Sequence, residues 1–178
     1  NLSVDDIFLE TKLKNSINHD QAIFTSRPDR NLDLLLDIWK NKIYPINNRI
    51  KLLVTPNNLC INKYNVVHRV MSSQQNLIDD LLSSRVFLVP GHKAELYCLA
   101  AEEARELCVP IVTMGIGSLS ERVINGKTGY IANSYDDFAE YTLELFKNND
   151  LWNEIRNNLI DLRGKNNWTL STLNFLKK

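Results

Sequence analysis

Two groups of charged residues in the sequence have the chemistry and the position to bind a phosphorylated ligand. Arg27 and Arg30 make up the first group, in the segment SRPDRN that directly precedes a predicted helix. Guanidinium groups beside the free backbone amides of a helix N-terminus are well suited to phosphate oxygens. The alternative is a solvated turn in which these arginines pair with Asp29 or Asp33.

Glu95 and Glu103 form the second group, eight positions apart in the segment GHKAELYCLAAEEAREL. If the whole segment is helical, at ~1.5 Å per residue the two are about 12 Å apart. A carboxylate pair that acts on one sugar bond is roughly 5–9.5 Å apart. The longer distance suits two ends of an extended ligand, each carboxylate accepting hydrogen bonds from two hydroxyls, with the amides of residues 96–99 facing a phosphate between them. Glu102, next to Glu103, would point about 100° away from it on a helix. The alternative is that all these acids lie on a solvated helix surface.

The glycines and cysteines carry weaker signals. Gly115 and Gly117 form a GxG pattern without a third matching glycine, which is weak evidence for a dinucleotide site. Cys60, Cys98 and Cys108 include no CxxC pair, which indicates small buried side chains in a reducing compartment rather than a reactive thiol or a zinc site. We therefore expect neither a metal nor a cofactor.

Short apolar runs alternate along the chain with segments of helical period. The apolar runs predict strands at residues 21–26, 49–56, 65–70, 85–90, 109–114 and 128–132. The helical period predicts helices at residues 31–43, 72–84, about 95–108, 118–126 and over much of 134–178. This alternation predicts an α/β fold, a Rossmann-like open parallel sheet with helices on both faces. Ligands of such sheets bind at the carboxyl ends of the strands, where both charged groups lie.

Length, charge and composition restrict the remaining possibilities. With 178 residues, of which 44% are hydrophobic, the chain fits one domain with a substantial core. We expect residues 1–20 to form a hinge segment and residues 21–178 to form the domain. A formal net charge of zero argues against a protein that coats nucleic acid or an anionic membrane. We therefore expect no nucleic-acid partner, at most peripheral membrane contact, and a cytoplasmic location.

Four motifs in order resemble one family of enzymes. They are Glu95 and Glu103 separated by seven residues, Val-Pro-Ile-Val at 109–112, Gly-Ser-Leu-Ser-Glu at 117–121, and Gly-Lys-Thr-Gly at 126–129. Together they resemble the donor-binding, C-terminal half of retaining GT-B glycosyltransferases of family four, the "glycosyl transferase, group one" type. The segments SRPDRNLDLLLDIW and NLSVDDIF resemble that family's phosphate-binding turn and interdomain hinge.

This resemblance implies a role for each candidate residue. Arg30, together with Arg27, would neutralise the diphosphate of a nucleotide diphosphate sugar donor. Glu95, at the catalytic centre, would hold hydroxyls of the transferred sugar, and Glu103 would bind the ribose hydroxyls. Amides of the intervening residues would meet the phosphate; these residues are Leu96, Tyr97, Cys98 and Leu99. In such enzymes the leaving diphosphate helps to take the acceptor proton, and a metal is not usually required.

Departures from the family pattern keep other readings open. The family often has glycine where this chain has Asn31, Leu96, Cys98 and Cys108. The chief alternative is therefore a catalytically inactive, glycosyltransferase-like binding or scaffolding module. A sugar-nucleotide epimerase of the same fold is a second alternative, although its catalytic acids and histidine have no recognisable counterparts. The family's acceptor-binding N-terminal domain has no counterpart in these residues, so we expect the chain alone to bind a donor without efficient transfer.

Overall fold

One parallel sheet of six strands organises the described part of the protein. The computed structural model describes residues 4–13, 20–56 and 63–165. The strands are β1 (Gln21–Phe24), β2 (Lys51–Val54), β3 (Val66–His68), β4 (Val86–Gly91), β5 (Ile111–Ile116) and β6 (Gly129–Ile131). The helices are α1 (Asp6–Glu10), α2 (Leu32–Ile38), α3 (Gln74–Leu82), α4 (Leu99–Glu106), α5 (Tyr135–Lys147) and α6 (Asn149–Leu162). None of these helices is long and apolar enough to cross a membrane.

The sheet has the strand order β3-β2-β1-β4-β5-β6, and all five ladders are parallel. Every residue of β1 and β4 is buried, as expected for central strands covered by helices. The chain moves outward from β1 to β3 and then returns to place β4 on the other side of β1. A crevice forms at such a reversal, outside the carboxyl ends of β1 and β4. The predicted Rossmann-like fold is therefore confirmed.

Large apolar side chains fill the core on either side of the sheet strands. Trp39, Phe24, Phe87 and Phe138 are fully buried, and the Trp39 indole N–H donates to a backbone carbonyl oxygen 2.9 Å away. Trp39 begins a π-helical turn, Trp39–Ile43, that continues α2. Burial of these rings removes much apolar surface from water, the main favourable contribution to folding.

The segment before β1 packs against the end of α6. Phe8 of α1 is fully buried, and Arg163 Nη2 lies 2.9 Å from the carbonyl oxygens of both Phe8 and Leu9. Arg163 directly follows α6, so these hydrogen bonds join the first and last described helices. The predicted hinge role of residues 1–20 stays a prediction.

Two predicted helices differ from the observed ones for local reasons. The helix expected from about Glu95 begins at Leu99, because Cys98 before it has a left-handed backbone (φ 59°). Residues 118–126, expected to be a short helix, contain only a 3₁₀ turn, Gly117–Glu121. Residues 95–98 are therefore a loop, and the 12 Å spacing argued for a continuous helix does not apply.

The C-terminal helical segment is two helices separated at Asn148. Asn148 has an extended backbone (φ −105°, ψ 99°), and its side-chain oxygen accepts from Leu151 N at 3.1 Å. This is an N-cap, which satisfies an otherwise unpaired amide at the start of α6. The last part of the predicted helical segment, residues 166–178, lies outside the described residues.

Candidate functional site

A cavity of about 480 Å³ opens beside the carboxyl ends of β1 and β4. Two loops line it: one follows β1, and the other, residues 92–98, we call the β4–α4 loop. The lining residues are Thr25, Ser26, Arg27, Arg30, Ala94, Glu95, Leu96, Tyr97, Cys98, Leu99 and Ala100. Seven of the eight predicted site residues line this cavity, and Glu103 does not. The structure thus brings Glu95 of the second charged group together with both arginines of the first, at the sheet edge that favours ligands.

The two arginines after β1 have different surroundings. The Arg27 side chain is 73% exposed and pairs with Asp29. For Arg27 these contacts match the alternative of a solvated turn in which the arginines pair with nearby aspartates. The Arg30 side chain is 19% exposed, and its Nε lies 3.4 Å from Glu95 Oε2. Arg30 Nη1 also lies 3.3 Å from Asp29 Oδ2. Arg30 is therefore the arginine held at the centre of the cavity.

Glu95 is fixed by contacts on both of its carboxylate oxygens. Oε1 accepts a hydrogen bond from Cys98 N at 3.0 Å, and Oε2 faces Arg30. The Glu95 carbonyl oxygen accepts from Ser118 N at 3.0 Å, which ties the β4–α4 loop to the 3₁₀ turn after β5. A carboxylate held in this way can accept further hydrogen bonds from ligand hydroxyls. The Cys98 amide, predicted to meet a phosphate, thus donates to Glu95 in this structure.

The acids of α4 are mostly buried rather than solvated. Glu102 and Glu106 are 2% and 0% exposed, and both pair with Arg105. The alternative of a solvated acidic surface is therefore wrong for these two residues. Burial raises the pKa of Glu103 to about 7, although the positive charge of Arg69 opposes that shift. Glu103 is consequently a partly protonated acid near neutral pH, close to the cavity but outside its lining.

Three residues at the family's glycine positions have a left-handed backbone. Their φ values are 63° for Asn31, 59° for Cys98 and 57° for Cys108. Glycine adopts this conformation without strain, whereas a residue with a Cβ does so at a cost. These departures therefore keep the backbone conformation that explains the family's preference. Leu96, at the fourth of these positions, lines the cavity but is 89% exposed. Its side chain therefore does not occupy the interior of the cavity.

Substitutions at Asn31 test the contribution of this backbone strain to stability. The Asn31 side chain also forms a hydrogen bond, from its amide Nδ2 to the Gly91 carbonyl oxygen at 2.5 Å. We expect Asn31→Ala to lower the free energy of unfolding by about 2 kcal/mol, since it keeps the strain and loses the bond. Asn31→Gly loses the bond but relieves the strain, so we expect a loss of at most about 1 kcal/mol. Urea denaturation measures both. A glycine variant less stable than the alanine variant would contradict this interpretation.

Sequence reasoning did not single out four of the lining residues, Thr25, Ser26, Ala94 and Ala100, or the nearby Arg122. Ser26 lies beside the Cys98 thiol, whose pKa burial raises to about 11. Arg122 contacts the backbone of Tyr97 from behind the β4–α4 loop. Neither contact has a sequence signal, because each joins residues far apart in the chain. Cys98 and Cys108 are buried, as predicted, while Cys60 lies outside the described residues.

Comparison with known families identifies the class of protein. The sequence model of the family described as "Glycosyl transferases group 1" matches residues 58–161, more than half of the chain. The chain therefore belongs to the group 1 glycosyl transferases, as the motifs predicted. Among curated proteins, none matches the chain significantly.

Solved structures with the same fold include proteins from three organisms. TarM of S. aureus, in a complex that contains UDP, aligns with a TM-score of 0.68 at 19% identity, over 85% of this chain and 34% of that one. HepE of Anabaena, in complex with UDP-glucose, aligns with a TM-score of 0.64 at 13% identity, over 80% and 43%. The C-terminal domain of LpcC from Francisella tularensis aligns with a TM-score of 0.65 at 16% identity, over 82% and 84%. The chain thus spans about a third of TarM and most of the isolated LpcC domain.

Proposed function

We propose that this chain is the nucleotide-sugar-binding domain of a retaining glycosyltransferase of the hexosyltransferase type. With an acceptor-binding N-terminal domain, it would move a sugar from a nucleotide diphosphate sugar to an acceptor. The observation that carries the proposal is the pairing of Arg30 with Glu95, 3.4 Å apart, in the cavity between the ends of β1 and β4. The UDP and UDP-glucose in the TarM and HepE structures support this choice of ligand class.

Each half of that pair has chemistry for one part of a donor. Arg30 presents five N–H donors, and in the described residues its acidic neighbours face only Nε and Nη1. The remaining donors suit diphosphate oxygens, which guanidinium groups bind in a charge-assisted geometry. Glu95 accepts hydrogen bonds, which suits the hydroxyls of the transferred sugar. A donor lying between them has its diphosphate near β1 and its sugar near the β4–α4 loop.

Glu95 and Glu103 have different positions relative to the cavity and therefore different proposed roles. Because Glu103 lies outside the cavity lining, it does not act with Glu95 on the same sugar bond. The resemblance to retaining GT-B glycosyltransferases implies that the departing diphosphate helps to take the acceptor proton, on the face of the sugar from which it leaves. Arg30 would stabilise the negative charge that builds on that diphosphate.

Calorimetry with UDP-, GDP- and ADP-sugars tests donor binding directly. We expect one class of nucleotide sugar to bind this chain and efficient transfer to an acceptor to be absent. Binding of none of them would overturn the proposal in favour of the scaffolding alternative. Efficient transfer by the chain alone would contradict the requirement for a second domain.

Arg30→Ala should weaken nucleoside diphosphate binding by about 1.5–3 kcal/mol, the usual range for hydrogen bonds to charged groups. Arg49→Ala is the matched control. Arg49 is exposed and lies just before β2, at the amino ends of the strands and away from the cavity. Calorimetry against UDP measures both variants. Equal affinities for Arg30→Ala and the unmodified chain would remove Arg30 from the site.

Glu103→Gln should cost about 1.5–3 kcal/mol of affinity for a ribose nucleotide at pH 8, where its carboxylate is charged. The loss should vanish with a 2′,3′-dideoxy nucleotide, which offers Glu103 no hydroxyl donors. Glu102→Gln is unsuitable as a control, since the structure buries Glu102 in ion pairs. Glu154→Gln serves instead, because Glu154 is exposed on α6. Equal losses with ribose and dideoxyribose ligands would exclude this role.

A further inference from the structure

Arg122 lies behind the β4–α4 loop and contacts it in two ways. Its Nε donates to the Tyr97 carbonyl oxygen at 3.0 Å. The central carbon of its guanidinium group lies 4.1 Å from the centroid of the Tyr97 ring, a cation–π contact. Arg122 follows the 3₁₀ turn after β5 and is not among the residues that line the cavity. It therefore reaches a cavity residue from outside the cavity.

The same guanidinium group is anchored to helix α4. Arg122 Nη1 lies 3.1 Å from Glu102 Oε1, and the Glu102 side chain is 2% exposed. A carboxylate this buried is stable only when cations neutralise it, and Arg105 supplies the second one. The planar guanidinium contacts the carbonyl, the ring and the carboxylate at the same time. A lysine ammonium keeps the charge but cannot reproduce all three contacts.

The β4–α4 loop is an irregular segment around Tyr97. It contains no helix or strand between the end of β4 and the start of α4, and Leu96 is 89% exposed. Glu95 is tied down by its bonds to Cys98 N and Ser118 N. These bonds act on the two ends of the turn 95–98, whereas Arg122 holds the carbonyl within it.

We propose that Arg122 is a positioning residue, which fixes the backbone at Tyr97 so that residues 95–98 keep the conformation that receives the donor. Glu102 holds the guanidinium in place for this task. The inference rests on the proposed function, in which the β4–α4 loop meets the nucleotide sugar. Arg122 acts through Tyr97 and has no contact of its own with the ligand.

Arg122→Lys tests the proposal because it keeps a positive charge beside Glu102 but cannot hold the carboxylate, the Tyr97 carbonyl and the Tyr97 ring together. Arg85→Lys is the matched control. Arg85 is buried and donates from Nε to the Leu145 carbonyl oxygen, and the central carbon of its guanidinium group lies 5.0 Å from the centroid of the Trp152 ring. Arg85 directly precedes β4, at the amino end of the sheet. It therefore makes the same types of contact as Arg122 but lies away from the cavity.

Two measurements distinguish positioning from plain stabilisation. We expect Arg122→Lys to raise the Kd for UDP by about fivefold to tenfold, as for one lost hydrogen bond in a preorganised loop. We also expect it to speed hydrogen exchange of the Cys98 amide, which bonds to Glu95, by about tenfold. Arg85→Lys should lower Tm at least as much and change neither the Kd nor the Cys98 exchange relative to neighbouring amides. Equal changes in both variants would overturn the proposal.

The outcomes separate this proposal from the proposed function. If the unmodified chain binds none of UDP, GDP and ADP, the proposed ligand class fails, and Cys98 exchange alone decides whether Arg122 positions the loop. If UDP binding depends on Arg30 but not on Arg122, only the positioning role fails. Should Arg122→Lys not fold, the paired variant Glu102→Gln with Arg122→Gln removes both charges of this ion pair together. That variant should show the same increase in Kd, and an unchanged Kd would overturn the proposal.

Discussion

Gly117→Ala is expected to destabilise the protein by about 3 kcal/mol or more and to abolish donor binding. Gly117 has a φ of 71°, and a Cβ there would lie 2.5 Å from the His92 carbonyl oxygen and 2.7 Å from that of Glu95. The left-handed backbone costs roughly 1–2 kcal/mol for alanine, and the overlap costs a further ~1–3 kcal/mol. Because both carbonyls belong to the β4–α4 loop, the displacement falls on the cavity itself. Urea denaturation and calorimetry against UDP measure the two effects.

Gly126→Ala is the control that isolates the steric contribution. Gly126 has nearly the same φ, 73°, but a Cβ there meets no atom within 4 Å. We expect this variant to lose only the conformational ~1–2 kcal/mol and to bind UDP normally. If the two variants lose equal stability, the close approach of Gly117 to the β4–α4 loop has no energetic weight.

The stability of the protein should fall as the pH rises from about 4.5 to about 7, because of Glu103. Burial raises the pKa of Glu103 from 4.5 to about 7 in the folded protein. The folded state therefore holds a proton that the unfolded chain has released, and stability decreases with pH in this window. At about 1.4 kcal/mol per pKa unit, the full cost of the charged form is on the order of 3 kcal/mol.

Glu103→Gln should remove that pH dependence, since glutamine does not titrate. We expect the variant to be more stable than the unmodified chain above pH 7 and similar to it below pH 4.5. Glu154→Gln, at an exposed position of α6, should leave the pH profile unchanged. Denaturant melts at several pH values decide the matter, and a Glu103→Gln profile that still falls from pH 4.5 to 7 would assign the effect to another group.

The sheet could be predicted from the sequence because its strands are continuous apolar runs. Runs such as those around β2 and β4 are fully or nearly fully buried, and that pattern has no surface alternative. The start of α4 could not be predicted, because helical periodicity continues through residues 95–98. Cys98 in a left-handed conformation and the bond from its amide to Glu95 stop the helix there, and both depend on the folded loop.

The candidate site was predictable where its residues follow strands directly. Arg30 and Glu95 come just after β1 and β4, whose carboxyl ends lie side by side in a parallel sheet, so topology alone brings them together. The ion pairs of Glu102 and Arg122 were not predictable. Glu102 and Arg122 are twenty positions apart and are brought together across two loops. The helix segment AAEEAREL also has the composition of a solvated surface, so nothing in it indicates that Glu102 is buried.

The hydrogen bonds from Arg163 to the carbonyls of α1 set an order of events during synthesis. Phe8 and Arg163 are 155 positions apart, so α1 is synthesised long before the side chain that donates to its carbonyl oxygens. The sheet strands, whose partners are nearer in sequence, can pair first. The bonds between Arg163 and α1 therefore form late, only after residue 163 has left the ribosome.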